Sequence, residues 1–464
     1  MNLYHKTIVL SSFALTILLS GCTGKLAPVA EQTIPLPPSF STAGTENLEE
    51  KWWLAFDDEA LNQLIEQSLN DNFSLKSSWS RLAQASAAYK KANASLLPSL
   101  SADGSNSHSA AQNDGKTTTN DQLTLGLTLS YELDLWGKVD STSAASRLDM
   151  EATTADLETA AISLSAEIAT AWYSLIEINS SLSLLEEQIT TNTKALELIT
   201  TQFRTGQAPI ADILQQRQLI EQQRGEQARL RSQQGQTEHT LALLAGEMVG
   251  VLEIDPPDHL IELPPLPDTG LPAELIKSRP DIRSAFLSLQ AADERVAAAV
   301  ADQYPSIRLS ASLQTEESRT SVLFSDYLAS LVTSITAPLL DGGQRKAEVE
   351  RTRAVAEEKL HNYAQTVITA VKEVEDALLI EQQQQQYLDS LELQLELSKQ
   401  SLEQIKERYL KGVESYERVL TALTSLQSLQ QSLLEARKDL LHNRIELCRA
   451  LGSGWNYSQT KQQT

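Results

Sequence analysis

Cys22 is the residue whose setting specifies a covalent chemistry most directly. It closes the run Leu18-Leu19-Ser20-Gly21-Cys22. Before it come one firm positive charge, Lys6, and an apolar stretch from Thr7 to Leu19. That stretch is shorter than the roughly 20 residues a membrane-spanning helix needs. It reads instead as the apolar core of a secretory signal over residues 1–21. Small Ser20 and Gly21 before the thiol complete a lipobox. Cys22 is therefore expected to be acylated and to become the mature N-terminus. Thr23 follows it, where an Asp would favour retention in the inner membrane, so outer-membrane placement is expected.

Other reactive side chains form no recognisable constellation. The second cysteine, Cys448, has no partner once Cys22 carries lipid, so no disulfide or thiolate metal site is expected. It lies in a Leu-rich helical stretch and reads as a small buried residue. His5, His108, His239, His259, His361 and His442 are scattered without ligand spacing, and no metal site is predicted. The sequence carries no nucleophile elbow, phosphate-binding loop or paired-carboxylate pattern. An enzyme is not indicated, and no cofactor is expected beyond the lipid on Cys22. Arg279-Pro280-Asp281 reads as a helix start, with Pro in the first turn and an acid beside the helix N-terminus. Gln382–Gln386 reads as a solvated or inter-helix polar run. The formal charge of −23 argues against a nucleic-acid partner.

The elements that carry these residues follow from a repeat. Leu182, Leu185, Ile189, Leu196, Ile199 and Phe203 recur 206 positions later as Leu388, Leu391, Leu395, Leu402, Ile405 and Tyr409. Such a self-match fixes architecture before any local motif does. Proline marks the boundaries, because it removes a backbone donor and ends helices. These signals divide the chain into a signal at 1–21, a lipidated tether at 22–50, a first repeat at 51–250, a Pro-rich linker at 251–270, a second repeat at 271–454 and a tail at 455–464. Helices are predicted at about 57–70, 73–97, 138–203, 210–247, 271–278, 280–303, 341–409 and 415–452. The third is roughly 100 Å long. Its apolar residues alternate at three and four, a coiled-coil seam. In each repeat the two shorter helices are expected to stack end to end beside the long one.

Strands fill the gap before each long helix. Leu123, Leu125, Leu127, Leu129, Tyr131 and Leu133 alternate with Thr124, Gly126, Thr128, Ser130 and Glu132. This period of two spans the length of a tilted transmembrane strand. Strands are predicted at about 98–112, 121–135, 305–317 and 327–338. The polar runs Ser105–Asn120 and Glu316–Asp326 suit extracellular loops. Gly137 and Gly342-Gly343 stand where strand becomes helix and can supply positive φ. Pro98 and Pro305 stand where helix becomes strand. The fold class is thus mainly α with a small β part. Four strands cannot close a membrane barrel, and an open edge in lipid leaves backbone groups unsatisfied. The chain must oligomerise, with eight, twelve or sixteen strands for two, three or four copies.

The chain resembles the lipoprotein branch of the TolC-like outer-membrane factor family, the exit ducts of tripartite efflux pumps. The resemblance rests on the lipobox; Trp52-Trp53 with Phe56, Asp57 and Leu61; Tyr131 to Lys138; Arg279 to Ile282; Tyr304 to Ile307; Pro338 to Gly343; and Arg408-Tyr409 with Gly412. It implies a homotrimer, with one twelve-stranded transmembrane β-barrel and one periplasmic α-barrel of antiparallel coiled-coil helices. It implies a passive channel for small molecules that works with a periplasmic adaptor and an inner-membrane pump of the resistance-nodulation-division type. The tips at Arg204 and Gly206 and at Arg408, Tyr409, Lys411 and Gly412 would dock the adaptor, or would simply make tight helical turns. Glu414 would help form a periplasmic constriction, or would stabilise the start of a helix capped by Ser415. Phe203 departs from the family's usual Tyr, and Ser278 from a common Arg. A protein-secretion duct is the alternative within transport, and an envelope-spanning coiled-coil lipoprotein the alternative outside it.

Overall fold

The computed structural model describes residues 35–44, 51–317 and 326–452. Cys22, the signal segment, most of the tether and the tail 455–464 lie outside the described residues. A one-turn 3-10 helix at Trp52–Phe56 precedes α1 (Glu59–Asp71) and α2 (Phe73–Ala94). Then come β1 (Ser99–Asn113), β2 (Lys116–Leu133), α3 (Lys138–Arg204) and α4 (Ile210–Leu244). The second half repeats the order: α5 (Pro272–Ser278), α6 (Pro280–Ala301), β3 (Ser306–Glu317), β4 (Leu328–Thr336), α7 (Gln344–Leu410) and α8 (Tyr416–Ala450). The repeat holds in length, with α2 and α6 of 22 residues each. Likewise α3 and α7 have 67 each, and α4 and α8 have 35 each. The protein is mainly helical with a small antiparallel sheet. Its described residues fall into two compact units: one takes those in 83–152 and 285–364, the other the remainder.

The sheet unit has strand order β1-β2-β3-β4, all antiparallel. The first hairpin corrects the loop expected over Ser105–Asn120. Pairing continues outward to Asn113↔Lys116, and only Asp114-Gly115 turns the chain. Both turn residues have positive φ, 47° and 76°, the two-residue hairpin turn that an Asp-Gly pair favours. Accordingly β2 starts at Lys116, ahead of the predicted 121. Polarity suggested a loop, but an exposed ladder needs no apolar residues to keep its backbone bonds. The strand-to-helix passages are clamped by side chains. Trp136 stacks on Tyr304 at 4.9 Å and donates from Nε1 to the Pro305 carbonyl at 2.7 Å. Asp302 receives Lys138 Nζ at 2.5 Å and Arg345 Nε at 3.1 Å.

In the helical unit the short helices meet end to end, once per repeat. Asn72, before α2, caps that helix by accepting from Leu75 N at 2.9 Å. Its amide Nδ2 donates to the Leu244 carbonyl at the end of α4, also at 2.9 Å. In the second repeat Arg279, before α6, donates to the Ala450 carbonyl at the end of α8 at 2.9 Å. Each junction includes a glycine with positive φ, Gly246 (75°) and Gly452 (76°). A Cβ on Gly246 would lie 2.5 Å from the Asp71 carbonyl oxygen, so only glycine fits there. Arg279 is also buried and paired with Asp281 at 2.7 Å and Glu373 at 2.9 Å. The Arg-Pro-Asp segment is therefore both a helix start and a charged anchor. The core gathers Trp52, Trp53, Phe56, Leu61 and Ile65 against Trp172 and Tyr173 of α3. Trp172 Nε1 donates to Asp58 at 2.8 Å and Trp52 Nε1 to Ser165 at 3.2 Å. The linker is held through Arg444, which pairs bidentately with Glu381 and donates to the Pro265 carbonyl at 2.6 Å.

Candidate functional site

Two features of the protein face outward without serving its own packing: one face of the sheet, and the tips of the helical hairpins. On the sheet, register places Ala102, Leu127, Leu313 and Ala329 in one row across four strands. The next row on that face is Leu100, Leu129, Ala311 and Leu331. Leu127 remains 46% and Leu331 77% exposed in the single chain. The opposite face is hydroxylic. Ser101, Thr128, Ser312 and Ser330 share a row, with Ser312 and Ser330 hydroxyls 2.7 Å apart. Its charged pair, Glu132 and Arg308, meets at 3.1 Å. Such alternation has one face suited to lipid and one to water. Within the sheet, β1 and β4 are edges, with no neighbour on their outer sides. Gly137 (φ 76°), Gly342 (65°) and Gly343 (87°) make the turns from strand to helix. Pro98 and Pro305 immediately precede β1 and β3.

The two tips are built alike. After α3, Gly206 N bonds Phe203 O at 3.0 Å and Gln207 N bonds Gln202 O at 2.8 Å. After α7, Gly412 N bonds Tyr409 O and Val413 N bonds Arg408 O, both at 2.9 Å. This is the Schellman closure, with glycine at φ 76° and 72°. The tips are brought together over a core of Ile199, Ile213, Leu402, Tyr416, Val419 and Leu423. Tyr409 crosses to the other hairpin and donates from its hydroxyl to Gln202 Oε1 at 2.6 Å. Its ring lies 5.8 Å from that of Tyr416. Burial raises the Tyr409 hydroxyl pKa above its ordinary value, so it stays a donor at neutral pH. Burial, then the charge of Glu417, holds the Asp212 carboxyl above the usual carboxylate range.

Glu414 sits beside this cluster with its side chain 16% exposed. Arg408 Nε reaches it at 3.0 Å and Arg418 Nε at 3.6 Å. Ser415 is the N-cap of α8 by position, but its side chain makes no capping bond. Lys411 pairs back to Glu407 at 3.7 Å, and Arg204 is the last residue of α3. Large apolar side chains stay exposed around the tips: Phe203 41%, Ile210 51%, Leu410 74% and Val413 62%. Sequence reasoning missed Gln202, Gln216 and Arg418 as partners. Gln202 alone had a signal, since it precedes Phe203 as Arg408 precedes Tyr409 in the repeat.

An amphipathic sheet with two free edges defines a subunit of a membrane β-barrel. Among the described residues no helix is long and apolar enough to cross a membrane. The pattern of the outer membrane efflux protein family matches residues 64–247 and 271–453, and this chain belongs to that family of outer-membrane channels. It is 28% identical over 466 residues to the pyoverdine export outer membrane protein OpmQ of Pseudomonas aeruginosa, covering 96% of this chain and 97% of that one. It is 29% identical over 463 residues to the cation efflux system protein CusC of Escherichia coli K12, covering 95% and 98%. The outer membrane channel MtrE of Neisseria gonorrhoeae has the same fold, with a TM-score of 0.84 at 27% identity, covering 93% of this chain and 98% of that one.

Proposed function

We propose that three copies of this chain close into one outer-membrane duct, the passive exit of a tripartite efflux system for small molecules. The observation that carries this reading is the sheet. Its apolar rows are exposed and its β1 and β4 edges are open, which lipid does not tolerate in a single chain. Three copies supply twelve strands and pair every edge. The exposed Phe203, Leu410 and Val413 at the tips supply an apolar surface for a periplasmic adaptor, and an inner-membrane pump of the resistance-nodulation-division type supplies energy. Acylated Cys22 anchors the duct to the outer membrane. Glu414 contributes to its periplasmic constriction. Export and efflux relatives such as OpmQ and CusC support a small-molecule cargo. Native mass spectrometry of the detergent-extracted chain tests the stoichiometry, with three copies expected; two or four overturn it. Cysteine crosslinking from Lys411→Cys to the co-expressed adaptor tests docking. Crosslinks are expected there, and their absence at every tip position of an assembled pump counts against it.

A further inference from the structure

A layer of amide side chains lies buried across three helices of the helical unit. Gln188 and Asn192 of α3, Gln216 and Gln223 of α4 and Gln427 of α8 are all less than one-tenth exposed. Asn192 Nδ2 donates to Gln223 Oε1 at 2.8 Å and to Gln427 Oε1 at 3.3 Å. Gln223 Nε2 donates to the same Gln427 oxygen at 3.1 Å. Gln188 Nε2 reaches the Gln427 main-chain carbonyl at 3.4 Å. Gln216 Nε2 donates to the Asn192 carbonyl at 2.8 Å, and Gln216 Oε1 accepts from the Tyr416 hydroxyl at 2.7 Å. The layer thus runs into the tyrosine pair of the second tip. Asn192 Oδ1 has no partner.

Apolar side chains bound the layer on both sides. Ile199, Ile213 and Leu423 lie toward the tips, and Leu185 and Leu230 lie along the helices away from them. A buried polar group in such a bundle gives up stability relative to an apolar one of similar volume. Its best-attested return is a single register. The repeat shows why register needs a device. The apolar seam recurs at an offset of 206, so the hairpins present near-equivalent heptads, and a slip by one heptad sets apolar on apolar. Four of the five amides do not recur, and Gln188 recurs only as the exposed Gln394. Gln216 and Gln223 correspond to Ala422 and Leu429, Asn192 to Ser398, and Gln427 to the exposed Glu221. In the observed alignment the amides pair with one another; with α8 slipped by a heptad in either direction, Asn192 and Gln223 would face Leu420 or Leu434 in place of Gln427.

We propose that this amide layer is the register lock of the helical unit, holding α8, and with it Tyr416 and the second tip, at one axial position against α3 and α4. The test uses the full chain carrying Asn192→Leu, Gln223→Leu and Gln427→Leu together. Spin labels at Glu197→Cys and Ser425→Cys, both exposed, report the α3–α8 distance by pulsed electron resonance. Labelled chain is diluted with unlabelled chain to isolate distances within one copy. Cys448 is buried and competes poorly for label. Without the triple substitution, one narrow distance is expected. With it, the expected outcome is a melting temperature at or above that of the parent and a distribution split by axial slips of up to about 10 Å, one heptad. A single unchanged distance overturns the proposal. So does a lower melting temperature or failure to fold, since the layer would then be cohesive rather than selective.

Discussion

Glu414 stands between two cations at the second tip. In the single chain its carboxylate lies between Arg408 and Arg418. A ring of three such carboxylates would be partly neutralised by its own guanidinium groups, so its field at the axis is weaker than that of bare acids. We predict that Glu414→Gln lowers cation selectivity in planar bilayers by a small, measurable shift of reversal potential under a salt gradient. An unchanged potential in a mutant that still assembles removes Glu414 from the constriction. His442 gives a second residue-scale expectation. It is partly buried against Ser174, whose hydroxyl lies 3.3 Å from Nε2. Burial, then the charge of Lys438, pushes its pKa down to about 4. A depressed histidine stays neutral in the fold while the unfolded chain takes a proton near its ordinary value of 6.5. Its contribution is therefore complete above pH 6.5 and is lost as pH falls toward 4, by up to roughly 3 kcal/mol. Melting temperature should drop across that window, and His442→Gln should flatten the drop. A parallel decline in the mutant would assign the effect to other groups.

At the scale of elements, the alternation in β2 is the clearest case. Leu127 lies on the apolar row and Thr128 on the hydroxylic one. An arginine on the lipid face at the bilayer midplane costs about 2–4 kcal/mol. Leu127→Arg should therefore reduce SDS-resistant oligomer far more than Thr128→Arg, and equal losses would mean that the face assignment is wrong. The helix junctions offer a sharper contrast. Gly246→Ala puts a methyl 2.5 Å from the Asp71 carbonyl at a positive φ. Gly137, also at positive φ, has open space where its Cβ would stand. Gly246→Ala should accordingly lower the melting temperature more than Gly137→Ala. Equal losses would show that conformational strain alone, and not the close approach of α1 to α4, dominates.

For the molecule as a whole, anchoring and closure are separate requirements. Acylation at Cys22 would hold the chain at the membrane, whereas strand pairing between copies would satisfy the sheet edges. Cys22→Ser should abolish incorporation of radiolabelled palmitate while leaving strand sequences intact. Retained label in that mutant refutes the lipid assignment.

The sequence by itself determined what depends on local periodicity. The seam of threes and fours in α3 and α7, the period of two in β2 and the offset of 206 residues require only neighbours along the chain to be legible. So did the positive-φ glycines at the tips, because a helix that reverses there needs such a residue. Tertiary structure decided what depends on which helix meets which. The Tyr409–Gln202 bond joins residues of different hairpins, and Gln216, Gln223 and Gln427 look like solvated glutamines until three helices enclose them. Arg279 likewise read as part of a helix start; packing turned it into a buried anchor for the end of α8. The outer half of the first hairpin was misread for the opposite reason. Its side chains are exposed and meet only across the ladder, as His108 meets Asp121, and the strand persists through backbone pairing and an Asp-Gly turn.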